Sequence, residues 1–365
     1  MLDTGKTERL LIEQLLDILR TVPDLQAEPV RRELSEPTAG RLHDAEIDLL
    51  VAGKPIRLLI EVKKTLYPRD VQQVLWRLRQ IGQSEQVGQG AGETLPLIAA
   101  EALSPGAKEL LRTERVGYFD SGGSLFLPAP GAYLDIDKPA PKMLTKSIRS
   151  LFTGQRAQVL HALLLRPQEW FGGKHLADMA QVSPATVSQV LVELERLDWV
   201  VTRGQGPHKE RRVREPAVLL DQWVKRLITI RTPAMTRYFV PSLRTDNLLD
   251  PLGRVFEAHD VRYAISFEAA AQRYAPFLSS VSQVRCRLLA GAAADAVIAE
   301  LGARVVTEGA NLALIEAKSA GELLFREHLD GMWFASPIQV YLDLLGGEGR
   351  AKELAEHLRK ERIGF

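Results

Sequence analysis

Apolar and polar residues alternate along two neighbouring runs near the start of the chain, Ala45–Val51 and Ile56–Lys63, joined by the turn-forming Ala52-Gly53-Lys54-Pro55. A period of two predicts strands, and the short connection predicts a hairpin. Ile47, Leu49, Val51, Ile56, Leu58, Ile60 and Val62 then share one buried face. The pattern changes to helical spacing over Arg69–Gln83, where Val71, Leu75, Leu78 and Ile81 line one side. The apolar run Leu95–Ala100 predicts a buried strand, and Ser104-Pro105 caps a short helix through Leu111. Val116–Asp120 and Ser124–Leu127 read as further strands, so the order is that of an α/β layer. Proline and glycine at 128–131 and 139–141 predict a break in regular structure, and Arg231-Thr232-Pro233 predicts a second.

The polar face of the first hairpin carries the candidate chemistry. Glu46 and Asp48 on one strand and Glu61 and Lys63 on the other fall on the same side of the sheet. Two carboxylates suit Mg²⁺ (or Mn²⁺), which takes oxygen ligands and keeps several waters. Such a metal polarises a phosphodiester and activates a water, while a lysine offsets charge in the transition state. Asp48 followed by Glu61-Val62-Lys63 resembles the PD-(D/E)XK superfamily of restriction-endonuclease-like nucleases. The resemblance implies that Asp48 and Glu61 are metal ligands and Lys63 the catalytic lysine. It also implies an additional acidic residue from the first helix, for which Glu13 is the best match, and it places Gln72 and Gln73 where some members carry a further polar group. Ile47 stands where the family's proline precedes the aspartate.

Helical spacing returns after the proline-rich break. Gly154–Leu165 and Lys174–Ala180 predict two helices, and Gln181-Val182-Ser183 a turn. Ser183 as N-cap and Pro184 at the first helical position start a third helix that runs to about Leu197. Its buried face is Val187, Val190, Leu191, Leu194 and Leu197; the opposite face offers Ala185, Ser188 and Gln189, with Thr186 at its edge. Trp199–Arg203 and Arg211–Arg214 flank Gly204-Gln205-Gly206-Pro207 as a hairpin. That hairpin holds Arg203, His208, Lys209, Arg211, Arg212 and Arg214 against Glu210 and Glu215. The segment resembles the winged helix-turn-helix family of double-stranded DNA-binding domains. The resemblance implies that the third helix, through Ser183, Thr186, Ser188 and Gln189, meets base edges in the major groove while the basic wing sits on phosphates.

The last third alternates strands and helices again, with Ser336-Pro337-Ile338-Gln339 as a capping box. Tyr263–Ala271 with Arg273–Phe277, Glu308–Leu312 and Ser336–Leu344 resemble the C-terminal domain of AbiEi-like proteins, antitoxins and transcriptional regulators of type IV toxin–antitoxin systems. That resemblance implies a repressor of its own operon that binds inverted repeats, with a nucleotidyltransferase-like toxin as functional partner that it need not touch. It allows a homodimer. Glu268, Tyr274, His328 and Asp343 read as structural or surface groups, and His259 and His357 have no partners at metal-ligand spacing.

Composition narrows the setting. The 365 residues suffice for two or three domains, and a formal net charge of +1 means that any nucleic-acid surface is local. One cysteine, Cys286, excludes an intramolecular disulfide or a paired-cysteine metal site. No signal-peptide shape or bilayer-length apolar run is visible, which predicts a cytoplasmic protein without membrane contact. The expected fold class is α/β multidomain: a nuclease-like α/β/α domain over 1–130, a linker over 131–145, a winged helix-turn-helix over 146–232 and an α+β domain over 233–365. Two functions follow, a DNA-binding antitoxin-like repressor and, as the alternative, a Mg²⁺-dependent DNA endonuclease directed by its winged helix.

Overall fold

The computed structural model describes residues 4–29, 44–51, 53–85, 93–139, 144, 148, 150–227, 234–242, 249–347 and 349–365, and the side chains of 4–7 and 78–85 are outside that description. The chain is mixed α/β and divides into two compact units, residues 1–148 with 192–199, and residues 149–191 with 200–365.

The first unit is built on a seven-stranded sheet. Its strands are β1 (Leu25–Pro29), β2 (Ala45–Val51), β3 (Lys54–Leu66), β4 (Glu93–Leu103), β5 (Gly117–Asp120), β6 (Leu125–Ala129) and β7 (Ala132–Ile136), paired in chain order. Strands β3, β4 and β5 run parallel, because α2 (Pro68–Glu85) and α3 (Pro105–Thr113) carry the chain back between them. The outer pairs are antiparallel. Helix α1 (Thr4–Arg20) lays Leu11, Leu15 and Leu19 on Ile47, Leu49, Ile56, Leu58 and Ile60, which is the face expected from the alternation. The other face packs Leu59, Leu66, Ile98 and Tyr118 against Val71, Val74, Leu75, Ala107 and Leu111 of α2 and α3. Leu78 and Ile81, expected on the same stripe, fall among the side chains outside the description.

Two local features differ from the reading of the sequence. The proline- and glycine-rich stretch at 128–131 does not end the domain: Pro128 lies within β6, and Gly131, at φ +89°, closes a hairpin whose second arm, β7, completes the sheet. Strand β1, which carries only two buried side chains, was not foreseen. Ser104 caps α3 as expected, accepting from Ala107 N–H, with Pro105 in the first turn. Beneath it, Lys108 reaches Asp120 at 2.8 Å and donates to Ser124 Oγ at 2.6 Å, all three fully enclosed.

The second unit starts with α4 (Gly154–Leu165), α5 (Gly173–Ala180) and the first part of α6 (Pro184–Arg196), whose residues from Val192 onward are grouped with the first unit. Gln181, in the left-handed conformation at φ 50°, turns the chain from α5 towards α6. A three-stranded sheet follows in the order β8 (Phe171–Gly172), β10 (Glu210–Val213), β9 (Val200–Arg203), and then α7 (Pro216–Leu227). Its hairpin needs glycine at 204: φ is +73°, and a Cβ there would lie 2.4 Å from the His208 carbonyl oxygen. The remainder forms a mixed sheet in the order β14-β11-β15-β13-β12-β17-β16, spanning Arg304–Val305, Met235–Phe239, Leu312–Ala317, Val284–Leu289, Tyr263–Ser266, Met332–Phe334 and Glu327–Leu329. It packs with α8 (Leu249–Ala258), α9 (Phe267–Tyr274), α10 (Ala292–Glu300), α11 (Pro337–Leu345) and α12 (Ala351–Leu358). Ser336 caps α11 by accepting from Gln339 N–H, as its capping-box sequence predicts.

Candidate nucleic-acid interface and carboxylate patch

In the first unit, Glu61 and Lys63 sit on the α2 side of the sheet. Glu61 is 2 % exposed. Its Oε1 lies 2.6 Å from Lys63 Nζ and accepts from Arg77 of α2 at 2.7 Å, while its buried Oε2 has no hydrogen-bond partner. Asp48 is not part of this group. Val51 pairs with Lys54, and that register sets Asp48 opposite Arg57, which holds it at 2.7 and 3.2 Å. Arg57 precedes Glu61 by four residues, about 13 Å along the strand, too far for both carboxylates to share one cation. The acidic residue across from Glu61 is Asp44: its N–H donates to Ile60 O at 2.8 Å, and its Oδ2 accepts from Val62 N–H at 2.7 Å. Glu13 is also elsewhere. Helix α1 covers the opposite face of the sheet, where Glu13 pairs with Arg9 at 3.1 Å.

Gln72 and Gln73 are exposed on α2. Among the described residues no group of three or more His, Cys, Asp or Glu side chains is placed to hold a metal ion. A donor set of Glu61 and Asp44 still suits Mg²⁺, since that ion binds through one or two carboxylates with water filling the rest. The unpartnered Glu61 oxygen fits such an ion; Asp48 and Glu13 do not.

In the second unit, the outward face of α6 is open. Ser183, Ala185, Ser188 and Gln189 are exposed, while Val187, Val190, Leu191 and Leu194 are buried. The Ser183 hydroxyl accepts from Thr186 N–H at 3.1 Å and meets Thr186 Oγ1 at 2.9 Å, so both hydroxyls serve the helix cap. Gln189 Oε1 accepts from Arg156 of α4 at 3.1 Å.

The hairpin that follows α6 in the chain has two unlike faces. Arg203 pairs in register with Glu210 and Val201 with Arg212, so Arg203, Glu210 and Arg212 point the same way and Arg211 points the other. On the first face both guanidinium groups lie over the half-buried Trp170 ring, Arg203 at 4.4 Å and Arg212 at 4.9 Å from its centre. Arg203 also pairs with Glu210 at 2.7 Å. Arg211 donates to the Lys209 carbonyl at 3.1 Å, His208 is exposed at the tip within a single 3₁₀ turn, and Arg214 is exposed just past β10. Trp170 and Arg156 were not singled out in the sequence; the signal for Trp170 is its place directly before β8, next to Arg212 across the sheet.

A third polar group is closed to solvent. His161 of α4 meets Ser336 Oγ at 2.6 Å, and the same oxygen accepts from Gln339 N–H. Burial pushes the His161 pKa down to about 3, against the opposing pull of the Asp343 carboxylate. Asp343 accepts from Ser266 at 2.6 Å, from Gln339 at 2.9 Å and from Arg287 at 3.1 Å, which makes it the structural group expected. Burial also raises the Cys286 thiol to about 12.

Comparison with protein-family models, curated proteins and solved structures finds no match for this chain. Among the described residues no helix is long and apolar enough to cross a membrane.

Proposed function

We propose that the protein is a duplex-DNA-binding regulator that reads sequence with α6 and grips phosphates with the β9–β10 hairpin. The observation that carries this reading is an exposed, small-residue helix face followed in the chain by a basic hairpin, with two arginines ordered on Trp170. Helix, turn, helix and basic hairpin in this order support a winged helix-turn-helix assignment. The AbiEi-like resemblance of the C-terminal segments extends the proposal to repression of its own operon beside a nucleotidyltransferase-like toxin. Binding of labelled duplex pools, measured between about 50 and 200 mM salt, tests it: affinity should fall steeply because releasing condensed counterions gains less entropy as bulk salt rises. Absence of duplex binding, or affinity indifferent to salt, removes the reading.

A second reading, metal-dependent DNA cleavage by a nuclease-like N-terminal unit, is favoured by the unpartnered, buried Glu61 Oε2. Glu61 and Asp44 would hold Mg²⁺, which would polarise the phosphodiester and supply an activated water. Lys63 would stand beside the reacting phosphate, and Arg77 would hold Glu61 in place. Lys63→Ala and Asp44→Ala should each abolish Mg²⁺-dependent cleavage while Asp48→Ala leaves it unchanged. No cleavage of single-stranded, duplex or branched DNA by the unaltered protein would remove it.

A further inference from the structure

We propose that Arg156 biases which base α6 recognises, by holding the side-chain amide oxygen of Gln189 so that the NH₂ group is the end left for a base; the inference rests on the duplex-DNA reading above. Arg156 stands in the first turn of α4, where one guanidinium nitrogen donates to Ser150 Oγ at 2.8 Å and another to Gln189 Oε1 at 3.1 Å. A guanidinium has no acceptor, so the amide oxygen must be the atom that faces it. The NH₂ group is then the end of the amide not held by Arg156, on an exposed residue of α6. Its neighbours offer little competition: Ser183 and Thr186 are occupied in the cap, Ala185 has no polar group, and Ser188 is short.

The consequence for base choice follows from donor and acceptor patterns in the major groove. An unconstrained glutamine reads adenine bidentately, accepting from N6 and donating to N7. Arg156 takes one of the two lone pairs of Oε1, and its positive charge disfavours a second donor such as adenine N6, so the two NH₂ donors lead; these match the paired acceptors O6 and N7 of guanine. Cytosine presents a donor in that groove and is rejected. Arg156 is therefore a positioning residue acting through Gln189, and guanine is the base expected at the contacted position.

Selection from a randomised duplex pool tests this with the full-length protein and three variants. The unaltered protein should enrich sites with guanine at one position of each half-site. Arg156→Ala frees Oε1 and should move that position towards adenine, with a change in the adenine-to-guanine ratio on the order of tenfold. Gln189→Ala should flatten the preference there and nowhere else. Gln189→Glu, an acceptor without donors, should lose guanine and gain cytosine, and it keeps an ion-pair partner for Arg156 if Arg156→Ala fails to fold. The proposal is overturned if Arg156→Ala leaves the preference intact, or weakens all sequences equally as loss of a phosphate contact would. If the unaltered protein enriches no duplex, the DNA-binding reading itself falls and takes the proposal with it.

Discussion

The Glu61 patch and the β9–β10 hairpin hold comparable sets of charges, yet they are arranged in opposite ways. Around Glu61, Lys63 and Arg77 turn inward onto one buried carboxylate oxygen. On the hairpin, Arg203 and Arg212 spread over an aromatic face, and one acid, Glu210, stands among them. An aromatic ring orders a guanidinium without neutralising it, whereas a carboxylate does both. Counting charges in a sequence therefore says less about a binding surface than knowing what each cation leans on. Closed polar groups should show themselves in stability, and open ones in binding.

The largest effect should come from the most enclosed pair. Asp120→Ala removes the nearer counter-charge of the buried Lys108, leaving only the exposed Asp137 at 3.5 Å, and should cost about 3–5 kcal/mol in denaturant unfolding; a loss below about 1 kcal/mol would mean the pair is not closed. Next is His161, whose folded pKa of about 3 lies below the ordinary value of 6.5. The unfolded chain then takes up a proton between those values that the native protein refuses. Stability should fall as pH drops through that window, by about 1.4 kcal/mol per pH unit, and remain flat with respect to this group above it. Replacement by glutamine should remove that slope, which unfolding curves at several pH values would reveal.

Smaller effects belong to the open surface. Arg203→Ala combined with Arg212→Ala should lower affinity for every duplex about tenfold or more and reduce the log–log salt slope by about 2. Unchanged affinity at moderate salt would place the hairpin outside the interface. The smallest change is expected for Asp48→Ala, since a half-exposed pair with Arg57 contributes about 0–1 kcal/mol. A substantial destabilisation would show that this pair, too, belongs with the closed groups.

Much of the architecture was legible because periodicity reports which face is buried. The hairpin faces, the caps at Ser104, Ser183 and Ser336, and the buried stripe of α6 all follow from it. Register is another matter. Alternation placed Asp48 and Glu61 on one face, but only the tight connection pairing Val51 with Lys54 fixes Asp44, rather than Asp48, across from Glu61. Glu13 was misplaced for a similar reason: helical spacing does not tell which side of a sheet a helix covers. Pro128 and Gly131 signalled a break correctly, but the break proved to be a turn inside the sheet. His161 left one faint trace, a polar position within the run Val159-Leu160-His161-Ala162-Leu163, and nothing in sequence pointed to Ser336 as its partner.

The hairpin formed by β6 and β7 also bears on how copies of this chain behave at high concentration. Among the described residues strand β7 is the last of its sheet, the position at which backbone groups can meet a passing strand. Its exposed positions are Tyr133 and Asp135, and Asp135 is tied at 2.9 Å to Arg112 of α3. A second molecule adding its own β7 there would have to break that tie or bring two carboxylates together. The edge is thereby protected against runaway strand addition, and neutralising Asp135 should make the protein more prone to aggregate.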